Sequence, residues 1–302
     1  MKISSPLIEG AEAFVVDRIP SQDVQAWYSQ IGIDVKPYFK NTDTVYIAEC
    51  VQSGYRFYAP RELMGQGSFY KQLSDAQGEK YYPKARWEHL KALQYFKSND
   101  KVLEIGPGHL AFAQLLKESG VTDITGLEIN PTSFNLAESL GVNLLDQTVA
   151  EHAEEIQQQY DVVCSFQVLE HVYDVGEFIK ACTILLKPGG TLIIAVPNND
   201  SFIQGENLAF NAPPHHMGLW TERVLVGLTN YFPLTFRTLW REPLRTTEVN
   251  RWMHWKEQGL VSSRFMRVVL YRFGLRYLVI GVVKLFRKNM RGQSMLAIFC
   301  KK

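Results

Sequence analysis

The chain has 302 residues, 46% hydrophobic and 21% charged, with a formal net charge of +1. That length holds one large α/β domain with additions, or two domains, and the composition argues against a disordered or fibrous chain. Four cysteines, Cys50, Cys164, Cys182 and Cys300, lie scattered with no pair at metal-ligand spacing, which argues against a disulfide framework and leaves no metal site to expect.

In chain order, MKISSPLIEGAEAF has no apolar core of signal-peptide length. The longest strongly apolar run, Tyr277 to Val283, is too short to span a bilayer, so a cytoplasmic location is expected. Residues up to about Thr44 read as irregular, with a short helix around Asp23 to Gln30. Val45 to Pro60 alternates apolar and polar around Ser53-Gly54, the pattern of a small hairpin. Glu62 to Phe96 reads as helical and rich in aromatics.

The most informative stretch is KVLEIGPGHLAFAQLLKESG, Lys101 to Gly120. Val102, Leu103 and Ile105 form the short apolar run of a buried parallel strand, and Gly106, Pro107 and Gly108 interrupt it. Leu110, Ala113, Leu115 and Leu116 then recur at helical spacing up to Gly120. Strand, glycine turn and helix in that order open a doubly wound nucleotide-binding fold, where backbone comes close to a ligand and a helix N-terminus offers N–H groups. Gly106, Gly108 and Ala111 also satisfy the dinucleotide pattern G-x-G-x-x-G/A, so the glycines leave the ligand open. Glu104 is an acid inside the apolar strand, and its burial demands a partner.

A second strand, Ile124 to Ile129, brings Glu128 to its tip, where a carboxylate can accept hydrogen bonds from both ribose hydroxyls. A helix from Asn130-Pro131 to Gly141, a third strand over Val142 to Asp146 and a loop at Gln147 to Glu151 follow. Tyr160 to Phe166 is the fourth strand, running into Gln167, Val168, Leu169, Glu170 and His171. Phe178 to Leu186 is a helix, Lys187 to Gly190 a turn, and Thr191 to Pro197 the fifth strand.

Asn198 to Trp220 is a long loop at the carboxyl edge of that sheet, carrying Asn198, Asn199, His215, His216 and Trp220. Thr235 to Trp240 and Ser294 to Cys300 read as strands six and seven. About 50 residues lie between them, including Trp252, His254 and Trp255 as possible pocket walls and a basic helical stretch from Arg264 to Arg291. From Val261 onward there are ten Lys/Arg and no Asp/Glu, leaving 22 basic against 31 acidic residues, a net −9, in the preceding part. On a helical wheel Arg276, Lys284, Arg287, Lys288 and Arg291 share one sector opposite Leu278, Val282 and Leu285. Such a helix can rest on an anionic membrane surface, bind an anionic substrate, or pack on the sheet with a solvated basic face. Nucleic acid is not expected, because aromatics do not interleave with the basic residues.

The runs E-I-G-P-G, F-Q-V-L-E-H-V and K-P-G-G, with an acid at the second strand tip, resemble the class I S-adenosylmethionine-dependent methyltransferases of the ubiquinone and glycan type, across roughly Tyr81 to Asn198. The resemblance implies a Rossmann-like fold with a seven-stranded mostly parallel sheet and helices on both faces. It also implies S-adenosyl-L-methionine as cofactor and a small molecule, sugar or lipid-linked glycan as substrate. It assigns the cofactor to Tyr81, Arg86, Glu104, Gly106, Pro107, Gly108, Glu128, Ile129, Thr148, Phe166 and Gln167. Methyl transfer to a hydroxyl calls for loss of its proton, and His215 or His216 is the candidate base. Ser53 stands where the zinc knuckle of some relatives has its second cysteine, so the hairpin is expected to hold no metal. The expected division is an N-terminal extension at 1–80, a cofactor-binding core at 81–200 and a substrate region at 201–302. An NAD-dependent oxidoreductase and a non-catalytic membrane-surface adaptor remain the alternatives, and nothing in the sequence speaks to the oligomeric state.

Overall fold

The computed structural model describes residues 2–78, 85–130, 133–205, 209–260 and 275–302. Seven strands make the main sheet: β5 (Lys101–Ile105), β6 (Asp123–Leu127), β7 (Asn143–Leu145), β8 (Tyr160–Phe166), β9 (Leu186–Pro197), β11 (Leu234–Pro243) and β12 (Arg291–Lys301). Their order is β11-β12-β9-β8-β5-β6-β7, parallel from β9 to β7, with β12 antiparallel to both of its neighbours. The chain leaves β5 toward β6 on one side and later returns to β8 on the other. The carboxyl end of β5 is therefore the switch point, where open α/β sheets bind ligands. Apolar layers cover both faces, with Leu103, Val163 and Ile194 in one cluster and Val102, Val162 and Ile193 in the other.

A second sheet was not legible in the sequence. It is antiparallel, in the order β1 (Lys2–Ser4), β2 (Glu12–Pro20), β3 (Thr44–Cys50), β4 (Arg56–Ala59) and β10 (Gly218–Leu219). The expected β3–β4 hairpin forms, whereas β2 falls in the region read as irregular. Most of the β2 side chains are exposed or half-buried, so β2 lacks the apolar alternation that marks a strand, and its pairing with β3 defines it. β10 comes from the loop after β9, which ties the N-terminal segment to the substrate region. Leu7, Ala48 and Phe57 share one apolar cluster with the main sheet.

Two helical expectations need correction. Glu62 to Phe96 is not one helix: a helix at Gly67–Gln77 ends at Gly78, in a conformation with φ +56°, and another occupies Trp87–Ala92. The basic stretch does not continue as helix to Arg291. The helix Leu275–Phe286 ends before Arg287, and Arg291 opens β12. A five-residue basic sector therefore does not exist on one helix. Apolar side chains face outward on this helix along with Lys284: Tyr277 and Leu285 are each 76% exposed, with Leu278, Val282 and Phe286 beside them. The residues of the basic stretch at 264–274 lie outside the described residues.

Candidate active site

Beyond Ile105 the chain turns at Gly106 and Gly108, both at positive φ (68° and 52°). A Cβ on Gly106 would come within 2.5 Å of Val168 Cγ2, so backbone conformation and packing both require glycine there. Glu128, one residue past β6, fastens the turn. Its Oε2 accepts from Gly108 N at 2.9 Å and its Oε1 from Asn130 N at 2.8 Å. Burial raises the Glu128 pKa above the ordinary carboxylate range, against the pull of those amides.

Glu104 is buried. A backbone N–H of Ala113, in the helix Ala111–Glu118, serves this carboxylate, while Oε2 is buried with no hydrogen-bond partner among the described residues. Burial first, and the Glu128 charge second, push its pKa up to about 8. An acid left half-satisfied beside a glycine turn fits a cationic ligand group.

The facing wall follows β8. Gln167 is held at φ 56°, an unusual conformation for a side-chain-bearing residue, by its N–H to Ala195 O at 2.9 Å. Glu170 presents its carbonyl to Met217 N (2.7 Å) and Gly218 N (3.0 Å), which draws in the loop carrying the histidine pair. The same loop hangs from the N-terminal segment. Tyr28 Oη donates to Ala212 O at 2.9 Å and accepts from His215 N at 3.2 Å, while Tyr58 Oη donates to Asn211 O at 2.9 Å. His171 donates through Nδ1 to His215 O at 2.7 Å. Burial holds His215 and His216 well below the usual imidazole pKa and brings His171 down to about 4. Burial thus disfavours the charged form of all three rings.

Together these walls enclose a cavity of about 180 Å³. Arg86, Glu104, Gly106, Pro107, Gly108, Phe166, Gln167, His215 and His216 line it, as nine of the expected residues. Glu128 is outside the lining and acts on it through Gly108. Ile129 is 60% exposed and also outside it. Thr148 caps the helix Val149–Glu155: its hydroxyl accepts from Glu151 N, and Glu151 Oε2 accepts from Thr148 N at 2.7 Å. Tyr81 lies outside the described residues. Trp252 and Trp255 pack with Phe202 and Val249 in a separate apolar cluster and do not wall the cavity.

Sequence reasoning missed His89 and Glu170 as lining residues. His89 carries a signal, standing three residues after Arg86, and burial lowers its pKa to about 3. Glu170 is buried, with Oε2 unpartnered among the described residues and its pKa pushed up to about 8 by burial. A second cavity of about 480 Å³ is bordered by Arg18, Trp27, Arg56, Tyr58, Asn199 and Asn211.

A family profile described as a methyltransferase domain matches residues 78–275. A ubiquinone biosynthesis O-methyltransferase of Klebsiella pneumoniae is 35% identical over 106 residues, covering 33% of this chain and 43% of that protein. The Erwinia tasmaniensis protein of the same name is 36% identical over 107 residues, covering 33% of this chain and 44% of that protein. The match thus spans less than half the length of these curated relatives. Among solved structures, a SAM-dependent methyltransferase from Archaeoglobus fulgidus aligns with TM-score 0.51 at 21% identity, over 78% of this chain and 100% of that one. The Burkholderia thailandensis 1,6-didemethyltoxoflavin-N1-methyltransferase, solved with its substrate and S-adenosylhomocysteine, aligns with TM-score 0.51 at 14% identity, over 83% of this chain and 97% of that one. At these identities the two structures speak to the fold.

Proposed function

The chain belongs to the methyltransferase-domain family, and from that premise we propose that it transfers the methyl group of S-adenosyl-L-methionine (SAM) to a hydroxyl oxygen of a small molecule. The observation that carries the reading is Glu104, a buried carboxylate with an unpartnered oxygen, opening on the cavity that also holds His215 and His216. When bound, SAM supplies an electrophilic methyl on a cationic sulfur. Glu104 meets the positive charge of the methionine end, the Gly106–Gly108 turn admits close approach, and Glu128 keeps that turn in shape. Arg86 offers a cation to the carboxylate of the same end. Phe166 and Gln167 form the floor, and His215 and His216 face the acceptor oxygen. Enclosure and alignment contribute to the rate by stripping water from the hydroxyl and holding it in line with the methyl group.

The names of the Klebsiella and Erwinia relatives support oxygen as the acceptor atom. The acceptor class we favour is a sugar or lipid-linked glycan, with a quinone-like lipid next; Asn211, the hydrogen-bond partner of His216, also borders the 480 Å³ cavity, whose volume would take part of either. Lipid linkage is favoured by the exposed apolar face of Leu275–Phe286, which lies next to Lys284, Arg287 and Lys288. An amphipathic helix of that make-up lies in the surface of an anionic membrane, so peripheral contact there is part of the proposal.

Calorimetric titration of the whole chain with S-adenosylhomocysteine (SAH) and, separately, NADH tests the cofactor. SAH binding without NADH binding is expected. NADH binding without SAH binding would return the reading to an oxidoreductase.

A further inference from the structure

We propose that His171, His215 and His216 form the binding site of a divalent transition-metal cation of the zinc class, set in the wall of the cofactor cavity. One ring nitrogen from each of the three lies within 4.8 Å of the others. The rings pack closely, with centroids 4.5 Å apart for His171–His215, 4.9 Å for His171–His216 and 4.5 Å for His215–His216.

The hydrogen bonds behind the rings give this cluster its direction. His171 Nδ1 donates to His215 O at 2.7 Å, His215 Nδ1 to Phe210 O at 3.0 Å, and His216 Nδ1 to Asn211 Oδ1 at 3.2 Å. The Asn211 amide is itself oriented by its Nδ2, which donates to Asn199 Oδ1 at 3.1 Å. Every one of those oxygens only accepts, so each Nδ1 carries the hydrogen and each Nε2 the lone pair. Three imidazoles thus share one tautomer, each fixed from behind by a carbonyl or amide oxygen, as metal-bound histidines are.

A second feature points the same way. The Glu170 carboxylate is buried on the same cavity, with Oε1 3.8 Å from His171 Nε2 and Oε2 without a partner among the described residues. It supplies the counter-charge of the site, and the three imidazoles are its protein ligands. Imidazole donors select zinc, copper, nickel or iron over magnesium and calcium, which prefer oxygen. Tetrahedral bonds of roughly 2.0–2.1 Å place ligand nitrogens about 3.4 Å apart, so the three nitrogens, now within 4.8 Å of one another, draw together when a metal binds.

The use of the site rests on the methyl-transfer reading. Three protein ligands leave an open position on the cavity side, where an acceptor hydroxyl can sit. A cation there lowers the hydroxyl pKa, and the proton leaves to solvent. The oxygen lone pair then forms the new C–O bond while the C–S electron pair stays on sulfur. The histidines act in this scheme as ligands.

The test uses the chelator-treated full chain titrated with Co²⁺, followed by equilibrium dialysis and visible absorption, with SAH calorimetry in parallel. One equivalent bound, with the intense bands of low-coordinate cobalt, is expected. His171→Ala and His216→Ala should each weaken it by roughly tenfold or more, Asn211→Leu by about tenfold through loss of ring orientation, and His254→Ala not at all. Substoichiometric binding to the wild-type chain overturns the site whatever the variants do, and so does undiminished binding in variants that still take up SAH. Cobalt binding without SAH binding keeps the site and removes the methyl-transfer reading. SAH binding without cobalt does the reverse.

Discussion

Glu104 carries a cost in the free protein that a cationic ligand removes. With a pKa of about 8 against an ordinary 4.5, the carboxyl holds its proton across neutral pH, pressed by burial and by Glu128. Because the folded state binds this proton more tightly, its contribution to stability is present below about pH 4.5 and is lost as pH rises toward 8. The cofactor's charge selects the ionised form. SAM affinity should therefore rise by up to about tenfold per pH unit from pH 6 and level off above 8. Glu104→Gln should remove that contribution and weaken SAM by about tenfold to a hundredfold, the worth of a charge-assisted contact, while leaving thermal stability equal or higher. Calorimetry between pH 6 and 9 checks both. An unchanged pH profile in Glu104→Gln would separate this acid from the cofactor.

At the scale of elements, positions that look alike in sequence do different work. Thr148 stands at the expected adenine loop, yet it forms a capping box with Glu151. Thr148→Ala should cost about 1 kcal/mol of stability in denaturant titration and leave SAH affinity unchanged; a drop in affinity at unchanged stability would instead place the hydroxyl on the cofactor. The N-terminal elements also acquire a task that the sequence did not suggest. Tyr28 and Tyr58 hold the backbone of the histidine loop, and β10 of that loop completes their sheet. The loop is thus braced over the cavity by residues more than 150 positions earlier.

On the scale of the whole molecule, a basic C-terminal region on an acidic remainder coincides with an apolar helix face turned outward. Leu278→Asp with Leu285→Asp should abolish sedimentation with phosphatidylglycerol vesicles at low salt and leave SAH binding intact, since neither side chain reaches the cavity. Persistence of vesicle binding in that variant would exclude the helix as the contact. The sequence by itself determined the main sheet, its glycine turn and the acids at Glu104 and Glu128, because buried parallel strands read as unbroken apolar runs and turn glycines are local requirements. Only the tertiary structure decided the antiparallel second sheet, the capping box that Thr148 makes with Glu151, and the outward apolar side chains of the last helix. It alone brought His171 against His215 and His216, 44 and 45 positions later. Such features depend on pairing between segments far apart in the chain, and no local periodicity records which distant partner a segment will meet.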